Sequence, residues 1–428
     1  MDFIYTLRYH RMVAIVISLS IYNSLYKYMK LNPLPIFDKL ELINYPNHFS
    51  NIQFPEDYTA VVGFLKQYSG NASTFESYRR EVEKIIQWSW RIKSTSILTI
   101  SRDDVEEYIN FCINPPKLWI STKRSPRFIT KDGKRYPNEN WRPFVSHISK
   151  LDHKKGKYPS KINYSISQKS IQEIFSVLSS LFSFLSLEGK IVRNPISLIK
   201  QKSKYLQKVQ KNICSLRLTE KQWSTCIKVA SDMADKDKRH ERTLFILSSL
   251  YLLYLRISEL TATDRWIPQM NNFYQDSRGC WWFKVLGKGN KLREVAVSDS
   301  MIEALKRYRR SLGLTDLPSP TDNHPLIIKE RGKGPTTSTR RIRQIVQLCF
   351  DGAVLVLKKN GHHQESQMLE SATVHWLRHT GISDDINKRC RPIAHVRDDA
   401  GHSSSAITDQ YNDIEIMERY NSAKNKST

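Results

Sequence analysis

The stretch HWLRHT at residues 375–380 decides how this chain is interpreted, because it sets an arginine three residues after a histidine. In a chain with twelve histidines and abundant arginine, an H-x-x-R pattern arises by chance about once. The pattern gains meaning only from its surroundings. Three further stretches flank it: LRISEL at 255–260, GKGNKLR at 287–293, and GHSS at 401–404, with Tyr411 nine residues after His402. Each is weak alone, and their order and spacing make the set specific.

These stretches lie in a second domain, beginning near Leu218, with a mixed helix and strand pattern. Two runs at 281–286 and 292–297 flank the turn sequence GKGN, which predicts a β-hairpin. Apolar residues at helical spacing predict helices at about 220–232, 239–255, 300–311 and 338–358. Further helices are expected to begin near His375 and His402.

The region 51–200 has the pattern of a small all-α domain. Ser73 to Glu76 fits a capping box opening a first helix. The predicted buried positions of this helix are Phe75, Tyr78, Val82, Ile85 and Ile86. Its predicted solvent face holds Arg79, Arg80, Glu83 and Lys84. A second helix opens at Ser101, and its inward residues are Val105, Tyr108, Ile109 and Cys112. A third runs from about 167 to 187, and Asn194-Pro195 ends the helical region.

Positive charge is the second global feature of the chain. Lys and Arg number 67 against 42 Asp and Glu, for a formal net charge of +25. This excess favours a polyanionic partner, although composition cannot choose among DNA, RNA and an acidic membrane surface. Between 117 and 161, thirteen basic residues face three acidic ones, with aromatic residues interleaved. That segment fits either a solvated insertion or a loop lying on DNA phosphates.

A second basic segment, 200–217, is interpreted as an interdomain linker. It has no acidic residue, and its basic residues are Lys200, Lys202, Lys204, Lys208, Lys211 and Arg217. A charged linker extends itself and could wrap a duplex.

The cysteines and the N-terminal sequence indicate in which cellular compartment the protein is expected. None of the six cysteines forms a C-x-x-C pair, which argues against a zinc ribbon and fits reduced thiols in the cytosol. The run from Met12 to Leu25 is mostly apolar, but it is too short for a membrane span and no cleavage site is obvious after it. We therefore expect a cytoplasmic protein without membrane association. Residues 1–50 are an N-terminal extension, or a start assigned too early with Met29 as the alternative.

Together, the four stretches resemble the tyrosine recombinase (phage integrase) family, over roughly residues 55–420. The family pattern has Arg in an LRISEL-like motif, Lys in a GKG hairpin, H-x-L-R-H-T, and LGH-S-S followed by Tyr. The resemblance implies a mainly α chain: a helical SAM-like core-binding domain, and a mixed α/β catalytic domain with a small β-hairpin sheet. Two departures are Tyr254-Leu255 where a small residue often stands, and Ala400 in place of the Leu of LGH.

Carried over residue by residue, the resemblance implies six catalytic residues: Arg256, Lys288, His375, Arg378, His402 and the nucleophile Tyr411. The implied reaction is cleavage and rejoining of DNA through a 3′-phosphotyrosyl intermediate, in integration, excision or resolution of a mobile element. The two arginines would clamp the non-bridging phosphate oxygens. His375 would serve as general base, Lys288 as general acid, and His402 as a hydrogen-bonding group to the phosphate. No cofactor or metal is implied, because the arginines supply the positive charge.

The expected organisation is a core DNA-binding domain at 51–199 with a basic insertion at 113–165, the linker 200–217, and a catalytic domain at 218–412. A tail at 413–428, with apolar Ile414, Ile416 and Met417, would pack on its own domain or dock on a neighbouring protomer. The implied partner is double-stranded DNA with specific recombination sites, bound by a homotetramer. Candidate DNA contacts outside the active site are Arg79, Arg80, Lys200, Lys202, Lys204, Lys208 and Lys211.

Three alternatives stay open at this point. A metal site is suggested by the crowding of His362, His363, His375, His379, His395 and His402. Trp376 stands where a zinc protease would have Glu, which argues against that class. A type IB topoisomerase would share the chemistry but relax DNA, and a non-catalytic DNA-binding protein would share only the fold. A covalent protein–DNA adduct would separate the enzymes from the binding protein.

Overall fold

The computed structural model describes residues 32–43, 54–197, 199, 205, 216–287, 289–402, 408, 420–424 and 426. Residues 1–209 and 210–428 form two compact units, here called the N-terminal unit and the C-terminal unit. Outside the described residues lie the apolar run 12–25, most of the linker 200–217, Lys288, Tyr411 and the tail segment 413–419. The domain boundaries read from the sequence stay predictions.

The N-terminal unit is a helical bundle around one apolar core. Its helices are α1 (Pro55–Lys66), α2 (Ala72–Trp88), α3 (Arg102–Ile113), the short α4 (Lys150–Lys154) and α5 (Gln168–Leu187). The predictions for α3 and α5 are confirmed: Ser101 and Ser167 cap their N-termini, and the expected apolar residues are buried. Within the described residues, α5 is the one helix long and apolar enough to cross a membrane. Eight of its residues are buried in the core of this unit.

The predicted start and solvent face of α2 are partly wrong. Asn71, not Ser73, caps this helix, and its side chain accepts a hydrogen bond from the Thr74 amide at 3.2 Å. Asn is as good an N-cap as Ser, so the sequence pattern could not separate the two. On the predicted solvent face, Glu83 is fully buried, and Lys84 is 9% exposed.

That charged face is covered by two other parts of the chain. Glu83 accepts hydrogen bonds from the backbone amides of Ile36 and Phe37, and it pairs with Arg127 from the insertion. Lys84 pairs with Glu81 at 2.9 Å. Buried charges persist when they are paired and hydrogen-bonded, so a charged helix face does not have to face solvent.

The basic insertion is folded around four short strands. Strands β1 (Ile120–Ser121) and β4 (Phe144–Val145) pair in parallel. Strands β2 (Phe128–Lys131) and β3 (Lys134–Pro137) form an antiparallel hairpin. Trp119 and Phe144, two of the interleaved aromatic residues, are buried in the core of the unit.

In the C-terminal unit, seven helices between residues 220 and 400 pack around a second core. They are α6 (Glu220–Lys236), α7 (Glu241–Leu252), α8 (Asp299–Ser311), α9 (Thr339–Lys359), α10 (His363–Ser371), α11 (Val374–Asn387) and α12 (Ile393–Ala400). Strands β5 (Phe273–Gln275), β6 (Trp281–Leu286) and β7 (Leu292–Ala296) form a sheet in that order. The β6–β7 hairpin is confirmed, whereas β5, α10 and α12 were not predicted. The helix expected near His402 falls mostly on residues outside the description.

Helices α7 and α11 approach each other unusually closely. A Cβ atom added at Gly381 would lie 2.0 Å from the carbonyl oxygen of Tyr251. Real Cβ atoms do not approach backbone that closely, so only glycine fits at this position while the helices keep their spacing. The contact fixes α11, which carries the HWLRHT stretch, against the end of the helix that leads into LRISEL.

Candidate active site

Arg256 is held at the N-terminus of a short 3-10 helix, Ile257–Leu260. Its Nη1 donates to Glu259 Oε1 at 3.0 Å, and its backbone amide donates to Glu259 Oε2 at 2.8 Å. The Arg256 side chain is 27% exposed, and that of Glu259 only 3%. One face of the guanidinium is thus anchored while the group stays accessible to a ligand.

Arg378 lies on α11 and is 2% exposed. Its Nη1 donates to the carbonyl oxygen of Tyr254, and its Nη2 donates to that of Ala400 at 2.6 Å. Tyr254 has a φ of 49°, in the left-handed region that non-glycine residues rarely adopt. This conformation occurs where the resemblance led us to expect a small residue.

The two arginines meet at the C-terminus of α12. Arg256 Nη2 donates to the Gly401 carbonyl at 3.4 Å, next to the Ala400 carbonyl that binds Arg378. Gly401 has a φ of 63° and ends the helix in the left-handed conformation. Cations are favoured at helix C-termini because the last carbonyls carry partial negative charge. Both guanidinium groups are therefore brought beside His402, the next residue of the chain.

Three histidines share this positive environment, and their pKa values fall for the same reasons. Burial, followed by the charges of Arg378 and Arg256, lowers the pKa of His402 to about 4. The same causes lower the pKa of His375, which keeps a solvent-exposed edge. Burial and the neighbouring His375 lower the pKa of His379 to about 3. A lowered pKa favours the neutral form of each of the three rings near pH 7.

His402 also has a side-chain partner within the described residues. Its Nδ1 lies 2.9 Å from the hydroxyl oxygen of Thr408, a residue that is fully buried. The rings of His375 and His379 meet edge to face, with centroids 4.3 Å apart. Arg256, Arg378, His375 and His402, four of the six predicted catalytic residues, are therefore close in space.

Comparisons with known proteins relate the whole chain, rather than these residues, to one group of proteins. No family model matches the chain. A curated tyrosine recombinase of Thermosipho africanus is 27% identical over 308 residues, which cover 70% of this chain and 88% of that protein. Tyrosine recombinase XerD of Staphylococcus epidermidis is 24% identical over 72% of this chain and 93% of its own. A post-cleavage complex of the XerH site-specific recombinase with its palindromic difH substrate has the same fold. Its TM-score is 0.54 and its identity 15%, over 90% of this chain and 87% of that one.

The chain is similar in sequence to these tyrosine recombinases. The predicted fold class, mainly α with a mixed α/β unit and a small hairpin sheet, is confirmed. DNA binding and DNA recombination are the activities of that family.

Two residues that sequence reasoning missed hold the site together. Glu259 accepts both Arg256 and Arg293, the latter through two hydrogen bonds of 2.9 and 2.8 Å. Arg293, on β7, also donates from Nε to the Asp399 carbonyl at 2.9 Å. It packs so closely on Gly401 that a Cβ there would lie 2.8 Å from Arg293 Cδ. The available signal was the glutamate in the otherwise largely apolar LRISEL stretch, because a carboxylate is rarely buried unless it is paired.

Lys288 and Tyr411 lie outside the described residues, and their roles stay predictions. The residue before Lys288 is described, and it adjoins the site. A Cβ added at Gly287 would lie 2.8 Å from Arg293 Nη1 and 3.5 Å from Glu259 Oε1. The β6–β7 turn therefore begins beside the arginine cluster.

Two of the predicted DNA-binding residues, Arg79 and Arg80, have partners within the protein. Arg79 is 8% exposed, and its guanidinium donates to the Asp38 carbonyl at 2.5 Å. Arg80 has a side chain 48% exposed and pairs with Glu81 and Glu173. Because it is buried, Arg79 offers a phosphate little accessible surface. Lys200, Lys202, Lys204, Lys208 and Lys211 lie outside the described residues.

The described histidines do not gather into a metal site. No group of three or more His, Cys, Asp or Glu side chains in the described part of the chain could hold a metal ion. That no metal or cofactor is needed stays a prediction.

Proposed function

We propose that this protein is a site-specific DNA recombinase that cleaves and rejoins DNA through a 3′-phosphotyrosyl intermediate at Tyr411. The observation that carries the proposal is the convergence of Arg256 and Arg378 on the adjacent carbonyls of Ala400 and Gly401, beside His402. Two permanently charged guanidinium groups held on adjacent carbonyls suit a phosphodiester, whose two non-bridging oxygens carry the charge.

In the cleavage step, the phenol oxygen of Tyr411 attacks phosphorus and the bond from phosphorus to the 5′-oxygen breaks. Negative charge grows on the non-bridging oxygens, where Arg256 and Arg378 stabilise it. Both groups are oriented before DNA binds, by Glu259 and by the Tyr254 and Ala400 carbonyls. Little reorganisation is then needed in the transition state.

Two protons move in this step. A tyrosine phenol has an ordinary pKa of about 10, so Tyr411 needs a base. The pKa of His375 is lowered by burial and by the two arginines, so its ring is neutral and can accept a proton. The leaving 5′-oxygen needs a proton, and Lys288 supplies it. His402, also neutral, hydrogen-bonds the phosphate. A bound phosphate raises the pKa of both histidines, because its negative charge opposes that of the arginines.

The chemistry conserves bond energy, since one phosphoester replaces another. Attack of a 5′-hydroxyl on the phosphotyrosine rejoins DNA without a nucleotide cofactor. One active site cuts one strand, whereas recombination exchanges four strands between two duplexes. We therefore propose a homotetramer on DNA, acting in integration, excision or resolution of a mobile element.

The test is formation of a covalent adduct with labelled DNA fragments taken from both sides of the gene, resolved by denaturing electrophoresis. We expect an adduct with the wild-type chain and with Tyr420→Phe, a matched control at an exposed tyrosine. We expect none with Tyr411→Phe, although that variant should fold and bind DNA. An adduct that still forms with Tyr411→Phe but not with Tyr420→Phe would identify Tyr420, rather than Tyr411, as the nucleophile. Relaxation of a plasmid lacking those fragments would favour a topoisomerase, and DNA binding without any adduct would favour a non-catalytic protein.

A further inference from the structure

The β2–β3 hairpin of the insertion ends in a tight turn with a basic tip. Its register runs from Phe128 opposite Pro137 to Lys131 opposite Lys134. The two turn residues, Asp132 and Gly133, have φ values of 48° and 73°, as a type I′ turn requires. Directly opposed residues project from the same face of a sheet, so Lys131 and Lys134 lie side by side. Both are exposed.

The opposite face of the hairpin is fixed to the body of the N-terminal unit. Phe128 is 8% exposed. Arg135 on β3 donates to both carboxylate oxygens of Asp38, each at 2.6 Å. Just before β2, Arg127 pairs with the buried Glu83 and lies over the Trp141 ring. The tip therefore projects from an anchored base.

The basic tip has no acidic partner in the part of the chain that the structure describes. Neither Lys131 nor Lys134 forms an ion pair there, although Asp132 lies between them in sequence. Four more exposed basic residues of the insertion also lack an ion-pair partner among the described residues, namely Lys117, Lys123, Arg124 and Lys161. Like charges directly opposite each other destabilise a sheet. The free protein therefore holds a repulsion that a bound anion would relieve.

We propose that the tip of the β2–β3 hairpin is a phosphate-binding surface outside the active site, and that it grips the backbone of the recombination-site duplex. The identity of the polyanion rests on the proposed function. Ordering a lysine-rich loop on binding costs conformational entropy, and here the backbone is already ordered by the turn and the anchored face. Lysine contacts to phosphate carry no sequence information, so the hairpin adds affinity and register without base readout.

The experiment measures affinity for a long duplex of mixed sequence as a function of salt, in the non-cleaving Tyr411→Phe background. The test variant is Lys131→Gln with Lys134→Gln. Each phosphate contact contributes about 0.9 to the slope of log affinity against log salt. We expect the double variant to lower the slope by about 1.8, that is, by two such contacts. Lys131→Arg with Lys134→Arg should keep the wild-type slope.

A matched control removes the same charge elsewhere in this unit. Lys66 and Lys190 are both exposed, and Lys66→Gln with Lys190→Gln should leave the slope unchanged. The thermal unfolding midpoint should stay constant or rise in the hairpin variant, because the opposed like charges are gone. An unchanged slope in the hairpin variant, or an equal loss in the control, would overturn the proposal. Weaker binding to anionic phospholipid vesicles with an unchanged DNA slope would overturn it too.

The readout is independent of the active-site chemistry. If the wild-type chain forms the covalent adduct and the hairpin variant keeps the wild-type salt slope, the hairpin proposal is refuted and the proposed function stands. If the salt slope of the hairpin variant falls while no DNA fragment yields an adduct, the phosphotyrosyl mechanism is refuted and the hairpin proposal stands.

Discussion

Replacing Glu259 with glutamine would keep the size of a buried side chain and remove its charge. Oε1 of Glu259 accepts hydrogen bonds from Arg256 and Arg293 at 3.0 and 2.9 Å. Oε2 accepts from the Arg256 amide and from Arg293 at 2.8 Å each. A glutamine keeps one oxygen, so in either orientation its NH₂ group faces two of these four donors. We expect the free energy of unfolding to fall by about 3–5 kcal/mol, the cost of leaving a buried charge without its partner.

The size of this effect depends on pH. Burial by itself would raise the pKa of Glu259, but the hydrogen bonds and charge of Arg293, together with Arg256, outweigh it and set the pKa below its usual value. Such a carboxyl stabilises the fold above its pKa in the unfolded chain, about 4.3. That contribution is lost as the pH falls through the folded pKa. The stability gap between wild type and Glu259→Gln should therefore be constant near neutral pH and shrink in acid.

Hydrogen exchange in urea, read in peptides of the C-terminal unit, measures the gap even if the two units unfold separately. Glu294→Gln is the matched control, because Glu294 on β7 is 47% exposed and lies 3.8 Å from Lys284. Its loss should stay below about 1 kcal/mol. A comparably small loss for Glu259→Gln, or a gap that persists in acid, would refute the assignment of Glu259 as the anchoring charge of the arginine cluster.

Three further outcomes are expected. Arg256→Ala or Arg378→Ala should slow adduct formation by about a hundredfold or more, with a far smaller loss of DNA affinity; equal losses would demote them to ordinary phosphate contacts. Lys288→Ala should fail on normal DNA and recover on a substrate with a 5′-bridging sulfur, whose leaving group needs no proton; no recovery would remove Lys288 from the general-acid role. Deleting residues 413–428 should abolish tetramers on paired sites, measured by size, and recombination; full-rate recombination by the truncated chain would show that the tail is not the assembly device.

The buried positions of helices with one apolar face could be predicted from the sequence. Those of a helix whose charged face is covered by distant parts of the chain could not. The buried positions of α3 and α5 follow from spacing alone, because each helix buries one stripe. Glu83 was assigned to solvent because a charged residue usually stays there. Its partners, the amides of Ile36 and Phe37 and the side chain of Arg127, lie more than forty residues away in sequence. The local spacing of apolar residues does not indicate that distant parts of the chain will bury a charged side chain.

In the active site, residue types were predictable and their supports were not. Arg256, Arg378, His375 and His402 followed from motifs, and the structure brings these four together. The groups that orient the arginines are mostly backbone carbonyls, those of Tyr254, Ala400 and Gly401. Every residue has a carbonyl, so no side-chain pattern can mark the ones that matter. Arg293 escaped notice because an arginine on a short strand is ordinarily a surface residue.

The missing side chain at Gly381 has a consequence for how this unit can vary over evolution. Tolerance of core substitutions usually comes from neighbouring side chains shifting to fill or free a small volume. Between α7 and α11 the backbone of one helix contacts the backbone of the other. No substitution can replace a backbone carbonyl oxygen with a smaller group. A methyl group added at Gly381 would push the two helices apart. Arg378, one turn away from Gly381 on α11, would move with that helix. Displacements of about 1 Å at a reacting group can lower rates a hundredfold. We therefore expect selection to hold position 381 for geometry alone, while the apolar residues around it exchange freely.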